Sequence, residues 1–134
     1  MVKNNPYRKG QGLVEFAILL PLLVLIIFGV LDLGRAFFAL VAITNAAREG
    51  ARVYTIYPSQ TTVANIQDAA KREAGNQGLD MTKVSVAVTC TGTPPGCASE
   101  QPIRVTVTYG FDLTINFLFP KTITLRRYAE MMVP

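Results

Sequence analysis

Between Phe16 and Leu31 the chain runs for sixteen residues without a charge, and every residue except Pro21 and Gly29 is Leu, Ile, Val, Phe or Ala. A cleavable secretory signal has an apolar region of about 7–15 residues followed by a small-residue cleavage site. Here the run is longer, and Asp32 and Arg35 follow it where such a site would stand. A membrane helix takes about 20 predominantly apolar residues. Gln11 to Leu31 supplies that length by including Glu15 near one end. Pro21 lies inside and is expected to bend the helix or loosen one of its hydrogen bonds. A single run excludes a multi-span transporter, and a hydrophobic content of 50% excludes disorder.

Charge gives the segment a direction. Thirteen Lys and Arg against nine Asp and Glu make a net +4. Lys3, Arg8 and Lys9 stand before Gln11 with no acid among them, and from residue 11 onward ten cations face nine acids. The basic character therefore belongs mostly to the segment ahead of the apolar run. Positive residues there stay in the cytoplasm, which places the C-terminal part outside the membrane. A net +1 over the remainder offers no electrostatic footprint for nucleic acid.

Helical pattern continues past Leu31. Asp32 and Arg35 are three apart and can pair on one helix face. Residues 36–43 are apolar, and 45–52 stay small and helix-compatible apart from Gly50; Pro58 is the first firm stop. A helix from about Gly12 to Tyr57 would be about 69 Å long, of which the bilayer core takes about 30 Å. Its second half must project from the membrane and pack against something.

Beyond Pro58, Thr61 or Thr62 can cap a second helix from Val63 to about Asn76, with Val63, Ile66, Ala70 and Ala74 on one face. Residues 83–90 are apolar at 84, 86 and 88, the pattern of a strand with one buried face. Ile103 to Tyr109 alternates again and should pair with it antiparallel. Phe111 to Phe119 fits a strand or a capping loop, and Thr122 to Met131 a last, edge strand. The expected fold is α+β: a long N-terminal helix, a short second helix, then a three- or four-stranded antiparallel sheet.

The chain has no His, which removes the commonest general base, and two Cys, too few for a zinc framework. With no nucleophile–base pair, metal cluster or phosphate-binding glycine loop, no enzyme, cofactor or metal is expected. Cys90 and Cys97 flank a Thr91–Gly96 turn rich in Pro and Gly, close enough in sequence to be bridged. Export makes a disulfide the default, two free thiols the alternative.

The stretches Gln11-Gly12-Leu13-Val14-Glu15-Phe16-Ala17, Pro21-Leu22-Leu23, Phe28-Gly29, Asp32-Leu33-Gly34-Arg35 and Asn45 to Arg52 together resemble the TadE-like family. Those are minor pilins or pseudopilins of the tight-adherence (Flp, type IVc) pilus system, and the resemblance covers residues 8–53. It makes the expected fold pilin-like. It also implies a cytoplasmic leader, residues 1–10, cut by a prepilin peptidase between Gly10 and Gln11. Residues 11–35 would then be the transmembrane half of the helix and residues 36–134 the exported domain. Implied partners are other pilins or pseudopilins, the peptidase, and an inner-membrane assembly platform. The implied location is the cytoplasmic membrane and then an extracytoplasmic filament.

The same resemblance implies assembly roles for Glu15, Phe16 and Pro21. An acid at the centre of a membrane helix costs about 2.5–3.5 kcal/mol, less near an interface. In a helical bundle Glu15 could pair with the amino terminus of a neighbouring subunit; otherwise it sits in the headgroup region. Pro21 either permits bending during filament packing or is an ordinary membrane-helix proline. Asp32 and Arg35 read as a helix pair at the outer membrane surface. Arg48, Glu49 and Arg52 either bridge subunits or dress a solvated face; Arg48 and Arg52, four apart, repel unless an acid intervenes. The rival reading is a permanently anchored single-pass protein, unprocessed, presenting a small extracytoplasmic binding domain.

Overall fold

The structure is a computed structural model that describes residues 8–90, 97, 100–114 and 121–134. Its first element, α1 (Arg8–Ile56), is a single helix of 49 residues that passes through Pro21, about 74 Å at 1.5 Å per residue. It starts four residues before Gly12 and stops one short of Tyr57. The stop lies just ahead of Pro58, which disfavours helical backbone in the residue before it.

The second helix, α2 (Val63–Asn76), has the bounds its sequence gives. Thr62 is the N-cap, and its hydroxyl accepts the Asn65 N–H at 3.2 Å. At the other end Gly78 adopts φ +83°. The Gly78 N–H donates to the Gly75 carbonyl at 2.9 Å and the Leu79 N–H to the Ala74 carbonyl at 3.1 Å. That is a Schellman ending, which needs the left-handed backbone glycine adopts without strain. Leu79 then packs against the core.

A 3-10 turn over Met81–Lys83 leads into β1 (Val84–Cys90), followed by β2 (Pro102–Asp112) and β3 (Thr122–Met132). The three strands form one antiparallel sheet in the order β1-β2-β3. Two details differ from the sequence expectation. Lys83 belongs to the turn, which Asp80 opens by accepting the Thr82 N–H at 3.0 Å. And β2 does not end at Tyr109: Gly110 pairs with Thr124 and Phe111 with Ile123. Phe111 is therefore the last inward side chain of β2, 4% exposed. Residues 1–7, most of the Phe111–Phe119 segment and the Thr91–Gly96 turn lie outside the described residues.

The core lies where the upper half of α1 meets α2 and the inner face of the sheet. From α1 come Ile43, Ala46, Ala47, Ala51 and Tyr54; from α2, Ile66, Ala70 and Ala74; from the sheet, Val84, Ile103, Val105 and Val107. Small residues on α1 let the other layers come close, and Gly50 is where they come closest. A Cβ there would stand 3.2 Å from the Ala70 Cβ, 3.2 Å from a Val105 methyl and 3.3 Å from the Ile66 carbonyl oxygen. Gly50→Ala gains about 1 kcal/mol in helix propensity but meets an overpacking penalty of about 1–3 kcal/mol, and the Ile66 backbone cannot yield as a side chain would. The expected outcome is a lower unfolding midpoint in denaturant titration of the full chain in detergent, deeper for Gly50→Val; a midpoint raised by Gly50→Ala would show that α2 moves aside freely.

Candidate assembly interface

Among the described residues the lower half of α1 has no partner. Large apolar residues from Leu13 to Leu33 are exposed. The most apolar eighteen-residue stretch of the helix has a mean hydropathy of 2.8, with none of it buried. Among the described residues α1 alone is long and apolar enough to cross a membrane, the arrangement of a single-pass membrane protein. Near its start, the Gln11 amide Nε2 donates to Glu15 Oε1 at 3.1 Å. One turn of helix thus gives Glu15 a neutral partner. Phe16 is 57% exposed beside it, and Pro21 sits in the continuous helix six residues further on.

Asp32 ends the unpartnered stretch, and its role is larger than its sequence suggests. The expected pair with Arg35 is present, Nη1 to Oδ1 at 2.8 Å. Yet Asp32 is 5% exposed, because its other contacts come from 82 residues away. Its Oδ2 accepts the Thr114 backbone N–H at 2.7 Å, and its Oδ1 accepts the Thr114 hydroxyl at 2.8 Å. Arg35 also donates to the Thr114 Oγ1 at 2.9 Å and lies over the Phe111 ring, 5.1 Å from its centre. The carboxylate therefore fastens the end of β2 to the helix where the apolar half stops.

Higher on α1 the three charges separate. Arg52 grips Glu49 with two hydrogen bonds of 2.8 Å. Hydrogen bonding to Arg52 holds the Glu49 carboxyl below its usual range, and Glu49 in turn raises the Arg52 guanidinium. That pair relieves the Arg48–Arg52 repulsion and leaves Arg48 exposed without an acid partner among the described residues. Near the top of the core, the buried Tyr54 hydroxyl accepts the Cys97 backbone N–H at 3.2 Å. Cys97 is joined to Cys90 by a disulfide, Cα to Cα 5.6 Å.

Thr114 and Tyr54 are the positions sequence reasoning missed. Thr114 has no local signal, being one threonine in a chain rich in them. Tyr54 had one: a tyrosine at the end of an alanine-lined helix face. Among the described residues no three of Cys, Asp and Glu gather in a group able to hold a metal.

A family model described as TadE-like protein matches residues 10–52, the part of α1 that carries Glu15, Pro21, the Asp32–Arg35 pair and the Arg48–Arg52 group. Over that stretch of α1 the chain is similar to TadE-like proteins. The match stops before α2 and the sheet. No curated protein and no solved structure matches the chain. The TadE-like family is associated with the Tad pilus and is structural rather than enzymatic. What α1 presents is a surface: an apolar helix face, its acidic start, and a domain fixed to its upper half.

Proposed function

We infer that the chain is a minor pilin or pseudopilin of a Tad/Flp-type filament, cut between Gly10 and Gln11 by a prepilin peptidase and packed through α1. The observation that carries this reading is that the uncovered apolar half of α1 is continuous with the spine of the folded domain. A mere anchor needs no such continuity, because a flexible linker would serve as well. A packing helix does need it, since each subunit must present its domain at a fixed height and angle. The family match across residues 10–52 supports the same reading.

Intact-mass measurement and N-terminal sequencing of the membrane-extracted protein from cells with the peptidase test it. The expected chain begins at Gln11. A chain that keeps Met1 or Val2 makes the protein a permanently anchored single-pass protein instead.

Glu15 gives a separate expectation. Taking an acid out of a membrane helix makes insertion easier, so Glu15→Ala should still insert and still be cut. Its incorporation into sheared filaments, measured by immunoblot against wild type, should fall at least tenfold. Wild-type incorporation would assign Glu15 to the headgroup layer.

A further inference from the structure

The two edges of the sheet differ. At the β1 edge the Gln67 side chain of α2 donates Nε2 to the Val86 carbonyl at 3.0 Å. The β3 edge has no neighbouring strand among the described residues. A strand edge is a row of unpaired N–H and C=O groups, and many folds blunt it with a short strand, a bulge or a proline. β3 has none of these: it is eleven residues long, without Pro or Gly, and keeps register with β2 from Thr122 to Met132. The bonds at its two ends fix which groups are free. The Lys121 carbonyl accepts the Leu113 N–H at 3.0 Å, and the Val133 N–H donates to the Gln101 carbonyl at 3.0 Å. Odd-numbered residues therefore turn their N–H and C=O toward β2. The even-numbered ones, Thr124, Arg126, Tyr128 and Glu130 among them, turn theirs outward.

Three cations without an acid partner among the described residues stand at the middle of this edge. Arg126 lies on the outer face of the sheet, and Arg127 on the helix-facing side, where it interrupts the series Ile123, Leu125, Ala129 and Met131. Arg48 of α1 lines the same groove as Arg127. An edge charge can serve simply to keep strands apart, and a charge on one face is enough for that. Here both faces are cationic at one level, and a helix adds to one of them. A second copy does not fit. β2 runs down α1, from the disulfide beside Tyr54 to Thr114 at Asp32, so β3 runs up it. A copy paired antiparallel would point its apolar half away from the membrane that holds the first. A copy paired in parallel brings the same arginines, and at any height its β3 offers one acid, Glu130, which its own Arg104 holds. Lipid phosphates meet cations but carry no donors and acceptors at strand spacing.

We propose that the β3 edge binds, by strand addition, an extended segment of another protein whose adjacent acidic residues pass Arg126 on one face and Arg127 with Arg48 on the other. Main-chain bonds to the even-numbered residues hold the segment, and its acids set its position. The probe is a fluorescent octapeptide of Val and Thr with two adjacent Glu at its centre, titrated into the purified full chain in detergent. Versions with two Gln or two Lys at the centre serve for comparison. The acidic peptide should bind at least tenfold more tightly than the Gln version, and the Lys version should not bind. Amide exchange followed by NMR gives the mode. The outward N–H groups of Thr124, Arg126, Tyr128 and Glu130 should slow at least tenfold with the acidic peptide. Those of Leu125, Arg127 and Ala129, which face β2, should not change. Arg126→Glu together with Arg127→Glu should turn the preference to the Lys peptide. Thr124→Pro removes one outward N–H and should weaken binding, whereas Thr124→Val keeps that N–H and should not. Slow exchange at Leu125 and Ala129 checks in each variant that the β2–β3 ladder is intact. Binding that leaves the even-numbered amides unprotected would make the arginines a patch for any polyanion. Equal binding of the three peptides, or none, would make them guards of the edge. Either result overturns the proposal.

Discussion

Asp32→Ala is expected to release the lower end of the sheet from α1 and to destabilise the folded chain by about 2–3 kcal/mol, the range for losing hydrogen bonds to a charged group. The carboxylate accepts from the Thr114 backbone, the Thr114 hydroxyl and Arg35, all within 2.8 Å. Arg35 is over half exposed and regains water when the acid is gone, which keeps the loss below the value for a fully buried ion pair. Asp32→Asn should fall between, since the amide oxygen still accepts a bond. Denaturant unfolding of the full chain in detergent, followed by tyrosine fluorescence, reads the loss. Amide exchange at Thr114 should quicken in the same variant. Wild-type stability with unchanged exchange at Thr114 would mean the fastening contributes nothing.

At the other end of the domain Tyr54→Ala should be more severe, about 3–5 kcal/mol, as for other large buried aromatics cut to alanine. Tyr54 is 2% exposed and belongs to the core shared by both helices and the sheet. Tyr54→Phe separates the ring from the hydroxyl. It keeps the packing and removes the hydroxyl that accepts the Cys97 N–H, so the loss should be at least about 1 kcal/mol, with faster amide exchange at Cys97. If Tyr54→Phe were as damaging as Tyr54→Ala, the hydroxyl rather than the ring would be the stabilising part.

Local signals explain what the sequence made legible. The bounds of α2 were readable because a threonine cap, an amphipathic face and a glycine ending all act within one or two turns. Strand β1 was readable from its alternation alone. The end of β2 was not: glycine weakens a strand on its own account, but pairing with Thr124 carries β2 through Gly110 to Asp112. Asp32 was half legible. Its three-residue spacing to Arg35 is local, whereas its burial depends on Thr114, and nothing near position 32 names a partner 82 residues away. The Arg48–Arg52 conflict was visible, but its resolution through Glu49 depends on rotamers, which a sequence does not display.

A head on a flexible stalk can turn without regard to its stalk. Here the stalk is the head's own spine: α1 runs unbroken from Arg8 to Ile56, and the sheet is fastened to it at Asp32 and again around Tyr54. Torque applied to the apolar half is therefore passed on to the strands, and the compass bearing of the sheet is inherited from the shaft. Only Pro21, which has no N–H to give the carbonyl four residues back, interrupts that stiffness. It lies eleven residues below the first fastening, so any yielding of the shaft tilts the whole head as one piece and leaves its internal geometry untouched.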